Sequence, residues 1–570
     1  MSGIYSIVSK NISIPGDNYK RFYSSKFSHT INEEFVSEGI TYGRSTLPVF
    51  TDDRFVIDTP ELVVCIEGVI YNQKSLKKEL IKLYAQEGLD FLKELEGQFS
   101  GFIYDKAAKK LCVFNDHLST KSLYFHYNKT DQLFCFASEC KFISSLLNDI
   151  GRNTNIDHDS IKLLLSFGYL FDDKTPILEG KKLLPGSVLE LDINSFELKQ
   201  RKYFSFKKKV SPFSKSDIIE RIDELLIRAV NFEWKKVHDY HISHYAQLSG
   251  GLDSRVNLLI ADELGFTDIS TITFSHGNSS DQTIAQEIAN SINSSHHFYE
   301  LTDEFLLQPL FNLIQANDGL NLFFNAAHTF TVSSSLNLQS VGAVHTGQIG
   351  DVLFGSFSNK PPLSKETIKK LAFRFDEGIF HSISDLENII ERYSFEGGAE
   401  LFSIEQRQVN GTMSGDRIVS HLVDHLSPFY NKELLSFCLE IPDKYRIDEQ
   451  IYLDWFNERH PKISEFRWQK SGTRPISQYH VKAGTYRKKL LRHLFRLFGS
   501  EYDNMNPFQV WYDSNNRMNE FYSGLFSELI NLNIDKELKE MISETFRGEK
   551  AIDKMTAISV LYTIKLYTNQ

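Results

Sequence analysis

The sequence predicts an α+β sandwich over residues 1–206 and, over residues 214–570, an α/β doubly wound parallel sheet with a helical C-terminal part. Three observations carry this. Up to Phe206, short β-branched and aromatic runs are separated by turns; from Tyr245, strand-like runs alternate with helical stretches; from about Leu401 the pattern is mostly helical. Between the halves, Lys207-Lys208-Lys209-Val210-Ser211-Pro212-Phe213-Ser214 shifts to charge, Pro and Ser, and the domain boundary is placed there.

In the first half the strand-like runs are 4–8, 62–66, 101–104, 111–114, 123–125 and 187–191, with helical pattern over 75–84 and 159–167. The second half opens on a long amphipathic pattern with apolar Ile218, Ile219, Ile222, Leu225, Leu226 and Val230. Strand-like 245–248, 269–274 and 343–345 then alternate with helical 280–292 and 326–336. A sheet built this way presents ligands at the C-terminal ends of its strands.

With 570 residues the chain is long enough for several domains, and 41% hydrophobic residues suffice for a sizeable core. A net charge of −11 argues against nucleic acid and for small molecules or proteins as partners, a homodimer among them. Five cysteines (Cys65, Cys112, Cys135, Cys140, Cys438) lack C-x-x-C spacing and suit a reducing, cytoplasmic setting. No signal-like N-terminus and no uninterrupted apolar stretch of membrane-spanning length is found.

The chemistry concentrates in Leu248-Ser249-Gly250-Gly251-Leu252-Asp253-Ser254, between strand-like Tyr245-Ala246-Gln247 and a helical run from Val256. Two glycines let backbone N–H groups approach an anion, the helix adds the positive end of its dipole, and two serines add hydroxyls. That is a pyrophosphate cradle, against the plain alternative of a glycine turn. An acid inside it would repel phosphate without a divalent cation, so Asp253 reads as a magnesium ligand. A second strand, 341–345, runs into Thr346-Gly347-Gln348-Ile349-Gly350-Asp351-Val352-Leu353-Phe354-Gly355. In a parallel sheet both strand ends lie on one side, so Asp351 could share that cation.

These residues carry a resemblance, over nearly the whole chain, to the asparagine synthetase family. The S-G-G-L-D-S loop resembles its ATP pyrophosphatase motif, 346–355 its second motif, 427–434 its V-P-F-L-D-x-x-L segment, and Arg467-Trp468-Gln469-Lys470 the stretch with its catalytic lysine. In the first half, 95–102, Asp116-His117-Leu118, 136–139 and 184–187 resemble segments of its glutaminase domain, which has the Ntn-hydrolase fold. The resemblance implies adenylation of a carboxylate by ATP with magnesium, then displacement of AMP by ammonia or an amine. Ser249, Gly250, Gly251 and Ser254 would grip pyrophosphate, Asp253 and Asp351 would hold magnesium, and Lys470 would stabilise charge at the α-phosphate. Leu248, Phe274 and Gly347 stand where the family contacts adenosine.

The departures matter equally. Ser2 stands where the family has its nucleophilic cysteine, and Glu67-Gly68-Val69-Ile70-Tyr71-Asn72 replaces N-G-E-I-Y-N, so glutamine hydrolysis is not expected. Gln348 replaces the glutamate of the second motif, which leaves the carboxylate and the amine open. Related enzymes without the cysteine resemble β-lactam synthetases and lasso-peptide macrocyclases, others amidate polysaccharide sugar carboxylates, and a catalytically inactive scaffold is the reading of another class. Finally, Lys482, Arg487, Lys488, Lys489, Arg492, His493 and Arg496 interleave with Leu490, Leu491, Leu494, Phe495, Leu497 and Phe498. The expectation is a helix with its apolar side in the core and its charges in water; the alternative is a basic amphipathic helix for an anionic partner.

Overall fold

The computed structural model describes residues 2–568 except 15, 17, 19–29, 75, 337–340, 357–361 and 498–504; of Ser356, Arg492, Phe495, Arg496 and Leu497 it describes the backbone alone. Met1, the start of the first helical pattern at Ser75 and the end of the basic stretch at Phe498 therefore lie outside the described residues.

The first half forms, in chain order, β1 (Gly3–Ser9), β2 (Ile31–Ser37), β3 (Ile40–Thr46), β4 (Phe55–Asp58), β5 (Leu62–Ile70) and β6 (Gly97–Asp105). It continues through β7 (Lys110–Asn115), β8 (Tyr124–Asn128), β9 (Leu133–Ala137), β10 (Lys181–Lys182), β11 (Ser187–Asp192) and β12 (Glu197–Lys202). These make two antiparallel six-stranded sheets, ordered β10-β8-β9-β1-β3-β2 and β12-β11-β7-β6-β5-β4. The alternation of strand side chains explains why the sheets stack. Ile4 and Val8 of β1 meet Val63 and Cys65 of β5 in one apolar layer between the sheets. The opposite faces are also buried: Val64 and Ile66 of β5 lie with Leu76 and Leu80 of the helix Leu76–Glu87, whereas Tyr5 and Ile7 of β1 pack with the helices Cys140–Asp149 and His158–Ser166. The sandwich is thus flanked by helices on both sides.

Ser214 starts the second half as a capping-box residue, its hydroxyl accepting from the Asp217 N–H, and the helix Lys215–Asp239 buries the apolar positions expected of it. Next come β13 (His244–Gln247), β14 (Ile269–Ser275), β15 (Ser295–Glu300), β16 (Ala343–His345) and β17 (Asp424–Leu426), in one parallel sheet ordered β15-β14-β13-β16-β17. Ala246 of β13 stands opposite both Thr271 of β14 and His345 of β16, so the loops after β13 and β16 leave the sheet side by side. The largest apolar core runs without a break from Tyr5, Phe142 and Phe171 into Leu320, Phe402 and Leu435. All five cysteines are buried and free. No described helix is long and apolar enough to cross a membrane.

One expectation is overturned. The basic stretch forms the helix Gln478–Leu497, but Leu490 and Leu494 face solvent and Lys488 is buried. The reason is what the helix rests on. Gly484 is pressed against the Ser471 carbonyl, where a Cβ would come within 2.6 Å, and Lys488 Nζ donates to the Gln469 carbonyl at 2.6 Å. Polar backbone receives Gly484 and Lys488, and among the described residues of the helix only Val481 reaches the apolar core, so the leucines a half-turn away point outward.

Candidate active site

The first loop follows β13 directly. Leu248 continues the strand by donating to the Ile272 carbonyl at 2.8 Å, and the helix Asp253–Glu263 begins five residues later. Between them the loop closes on itself: the Ser249 N–H and hydroxyl lie 3.1 and 3.0 Å from Ser254 Oγ, and the Gly251 N–H donates to Ser249 Oγ at 3.1 Å. The Gly250 N–H donates to Asp281 Oδ1 at 2.9 Å, and its carbonyl accepts from the Gln469 N–H at 2.9 Å.

The second loop lies across the start of that helix. A Cβ on Gly347 would collide with the Ser254 backbone nitrogen, and one on Gly350 would sit 2.5 Å from Asp253 Cγ. Only glycine permits this approach. It brings the Asp351 N–H to Asp253 Oδ2, a hydrogen bond of 2.9 Å. Burial, and after it the charges of Asp351 and Glu449, push the Asp253 carboxyl well above the usual carboxylate range. A divalent cation relieves that kind of repulsion. Among the described residues no cluster of three or more His, Cys, Asp or Glu side chains surrounds a common metal position. Two loop carboxylates are what magnesium takes from a protein when phosphate and water complete its shell, so the donor set fits.

Lys470 follows Gln469, whose N–H holds the first loop. Its ammonium lies 2.6 Å from Glu449 Oε1 and 4.8 Å above the Trp468 ring, with about half of the side chain exposed. Arg255, on the first turn of the helix after the loop, fastens the two segments: fully buried, it donates to the carbonyls of Gly250 (3.3 Å), Arg467 (2.6 Å), Phe466 (3.0 Å) and Ile463 (3.1 Å). Burial pulls its guanidinium down to about 9.

Leu248, Ser249, Gly251, Asp253, Ser254, Phe274 and Gly347 line one open cavity, together with Gln247, Asp281, Thr346 and Gln348. Gly250 belongs to the same loop; Asp351 and Lys470 stand outside the lining, joined to it through Asp253 and Gln469. Gln348 is held by Tyr430, whose hydroxyl donates to its Oε1, and by Ser427, whose hydroxyl donates to its carbonyl at 3.0 Å. Sequence reasoning missed Glu449, Asp281, Tyr430 and Arg255. Arg255, directly after the motif, and Tyr430, inside the 427–434 segment, carried a signal. Glu449 and Asp448 are consecutive non-glycine residues with φ of 60° and 54°, a strained backbone that no residue pattern announces.

Ser2 lies elsewhere, in a cavity at the seam between the halves. It is buried, and its hydroxyl donates to the Ser420 carbonyl at 2.9 Å. Glu67, Lys121 and Asp424 line the same cavity. Fully buried Arg54 pairs with Glu67 at 3.3 Å and with Asp424, which also accepts from Lys121 at 2.6 Å. Burial raises the Glu67 carboxyl; at Asp424 burial acts the same way, but Arg54 and Lys121 outweigh it and hold that carboxyl below the usual range.

Family comparison matches residues 35–204 to a glutamine amidotransferase domain and residues 223–496 to asparagine synthase. A Methanocaldococcus jannaschii protein bearing the name asparagine synthetase, glutamine-hydrolysing, 2 is 24% identical over 326 residues, 54% of this chain and 61% of that one. Escherichia coli asparagine synthetase B is 22% identical over 345 residues, 54% of this chain and 56% of that one. The chain therefore spans less than two thirds of the length of these relatives. The solved glutamine phosphoribosylpyrophosphate amidotransferase of B. subtilis covers 52% of this chain and 80% of its own at 10% identity, with a TM-score of 0.25 that carries no argument.

Proposed function

The chain belongs to the asparagine synthetase family through both of its domains, and on that premise we propose that it is an ATP-dependent, AMP-forming amide ligase. The observation that carries the reading is the junction of two glycine-closed loops at Asp253 and Asp351, with the Lys470 segment tied to the same loop through Gly250. We assign residues 1–206 to the amidotransferase-like domain and 214–570 to the ligase domain.

The substrate carboxylate attacks the α-phosphorus of ATP; the bond to the β-phosphate oxygen breaks, and pyrophosphate leaves. Ammonia or an amine then adds to the acyl carbon, loses a proton and expels AMP. Such a reaction asks the protein for position and charge rather than covalent help. Leu248, Phe274 and Gly347 form the nucleoside side of the cavity, and Ser249, Gly250, Gly251 and Ser254 take the pyrophosphate. Asp253 and Asp351 would hold magnesium, which would neutralise phosphate charge when bound. Lys470 leaves Glu449 to meet the α-phosphate. Ser2, with its hydroxyl donating to the Ser420 carbonyl and its cavity lined by the Lys121–Asp424 pair, supplies no glutamine hydrolysis.

The test is pyrophosphate release from ATP and magnesium with aspartate, with ammonia, glutamine or neither added, and Asp253→Ala as control. Release that depends on ammonia and that glutamine cannot replace supports the whole reading. Equal use of glutamine overturns the reading of Ser2. Absence of ATP binding, measured by calorimetry on the same samples, overturns the ligase assignment.

A further inference from the structure

The helix Gln478–Leu497 carries a feature that the ligase reading leaves unused. Tyr479, Tyr486, Leu490 and Leu494 are 85%, 74%, 53% and 43% exposed. Their offsets from Tyr479 are 7, 11 and 15 residues, which at about 100° per residue places all four within an arc of roughly 80°. The stripe is bordered by cations on both edges: Lys482 and Lys489 fall on one side and Arg487 on the other, by the same angular count, and of these Lys482 pairs with Asp448 at 3.0 Å. No aspartate or glutamate occurs anywhere in the twenty residues, although the whole chain carries a net charge of −11.

Four large apolar side chains in water cost free energy unless something covers them, and the cations flanking them state what that something carries. We propose that this helix docks in the plane of an anionic phospholipid bilayer, with the tyrosines and leucines entering the headgroup and acyl boundary and Arg487 and Lys489 reaching the phosphates. A second copy of the chain is a poor occupant, because pairing stripe to stripe would set both rows of cations against their counterparts. A nucleic-acid backbone would satisfy the cations and leave the stripe wet. A bilayer satisfies both.

The opposite face gives the docking a place in the architecture. Val481, Gly484 and Lys488 face inward, and Gly484 and Lys488 rest on the Gln469–Ser471 backbone, so a docked helix sets the Lys470 loop about one helix diameter, roughly 10 Å, from the headgroups.

Co-sedimentation of the full chain with vesicles tests this, comparing equal parts of phosphatidylglycerol and phosphatidylcholine with phosphatidylcholine alone. The expected result is sedimentation with the anionic vesicles only, weakened by salt. It should fall about tenfold or more in Tyr486→Ser/Leu490→Ser and in Arg487→Glu/Lys489→Glu, whose exposed positions leave thermal stability unchanged. No binding to anionic vesicles, equal binding to neutral ones, or binding that survives both double variants overturns the proposal. So does a wild-type dimer in light scattering that Tyr486→Ser/Leu490→Ser converts to monomer while vesicle binding is absent.

Discussion

The Asp351 backbone N–H donates to the side-chain carboxylate of Asp253 at 2.9 Å, across loops that follow two neighbouring parallel strands. The Asp351 backbone and the Asp253 carboxylate are therefore held in a fixed relation before any ligand arrives. Asp253→Asn should lower pyrophosphate release by about a hundredfold or more, as expected when a charge-neutralising centre of phosphoryl chemistry is lost, with the fold intact by circular dichroism.

The same carboxyl makes a pH prediction. Its folded-state value lies above that of the unfolded chain, so its contribution to stability is fully present below the ordinary aspartate range and is lost as pH rises through the raised value. Asp253→Asn cannot ionise. The variant should therefore become increasingly more stable than the wild type as pH rises to neutrality and beyond, and the two melting curves should converge in acid. Magnesium should raise the wild-type Tm above neutrality and leave the variant unmoved.

Gly347 has no room for a side chain, because the Ser254 backbone nitrogen occupies the position. Gly347→Ala should cost about 1–3 kcal/mol by chemical denaturation and weaken ATP binding, since the loop shifts before the helix does. Gly524 offers the contrast: exposed in the helix Asn516–Leu529, with nothing within 4 Å of where a methyl group would stand, it should accept Ala with a gain of about 0.5–1 kcal/mol.

Lys470 rests on Glu449 in the structure and is half exposed. Lys470→Ala should reduce kcat for adenylation by about a hundredfold, leaving KM for ATP and the Tm nearly unchanged. A parallel loss in affinity and stability would show that the lysine is a structural prop.

At the seam, Arg54→Ala strips Glu67 of its cation and Asp424 of one of two. Breaking a buried pair from one side should cost about 3–5 kcal/mol by denaturant titration. Ser2→Cys, by contrast, should fold normally and still release no ammonia from glutamine, because Glu67-Gly68-Val69-Ile70-Tyr71-Asn72 stands in place of the N-G-E-I-Y-N segment.

Much of the ligand side was legible in local sequence. The spacing of Ser249, Gly250, Gly251, Asp253 and Ser254 describes a strand, a tight loop and a helix, and each residue acts within six positions of the others. Asp351 was reachable because alternating strands and helices imply a parallel sheet whose strand ends share a side. Arg54–Asp424, 370 residues apart, was not, since no periodicity links partners on separate domains. Glu449 was hidden for a different reason: its position depends on left-handed backbone at two residues that normally avoid it. The outward stripe on the basic helix was misread because amphipathic pattern reports that one face differs from the other, and here polar backbone took the inner place.

The buried charges around Arg54 bear on cooperativity. Beneath them the apolar core passes from one half of the chain to the other without interruption. Neither half can open without stranding ions in the other, so heat should melt the protein in a single transition, and the amidotransferase-like domain persists as a thermodynamic partner of the ligase rather than as a removable module.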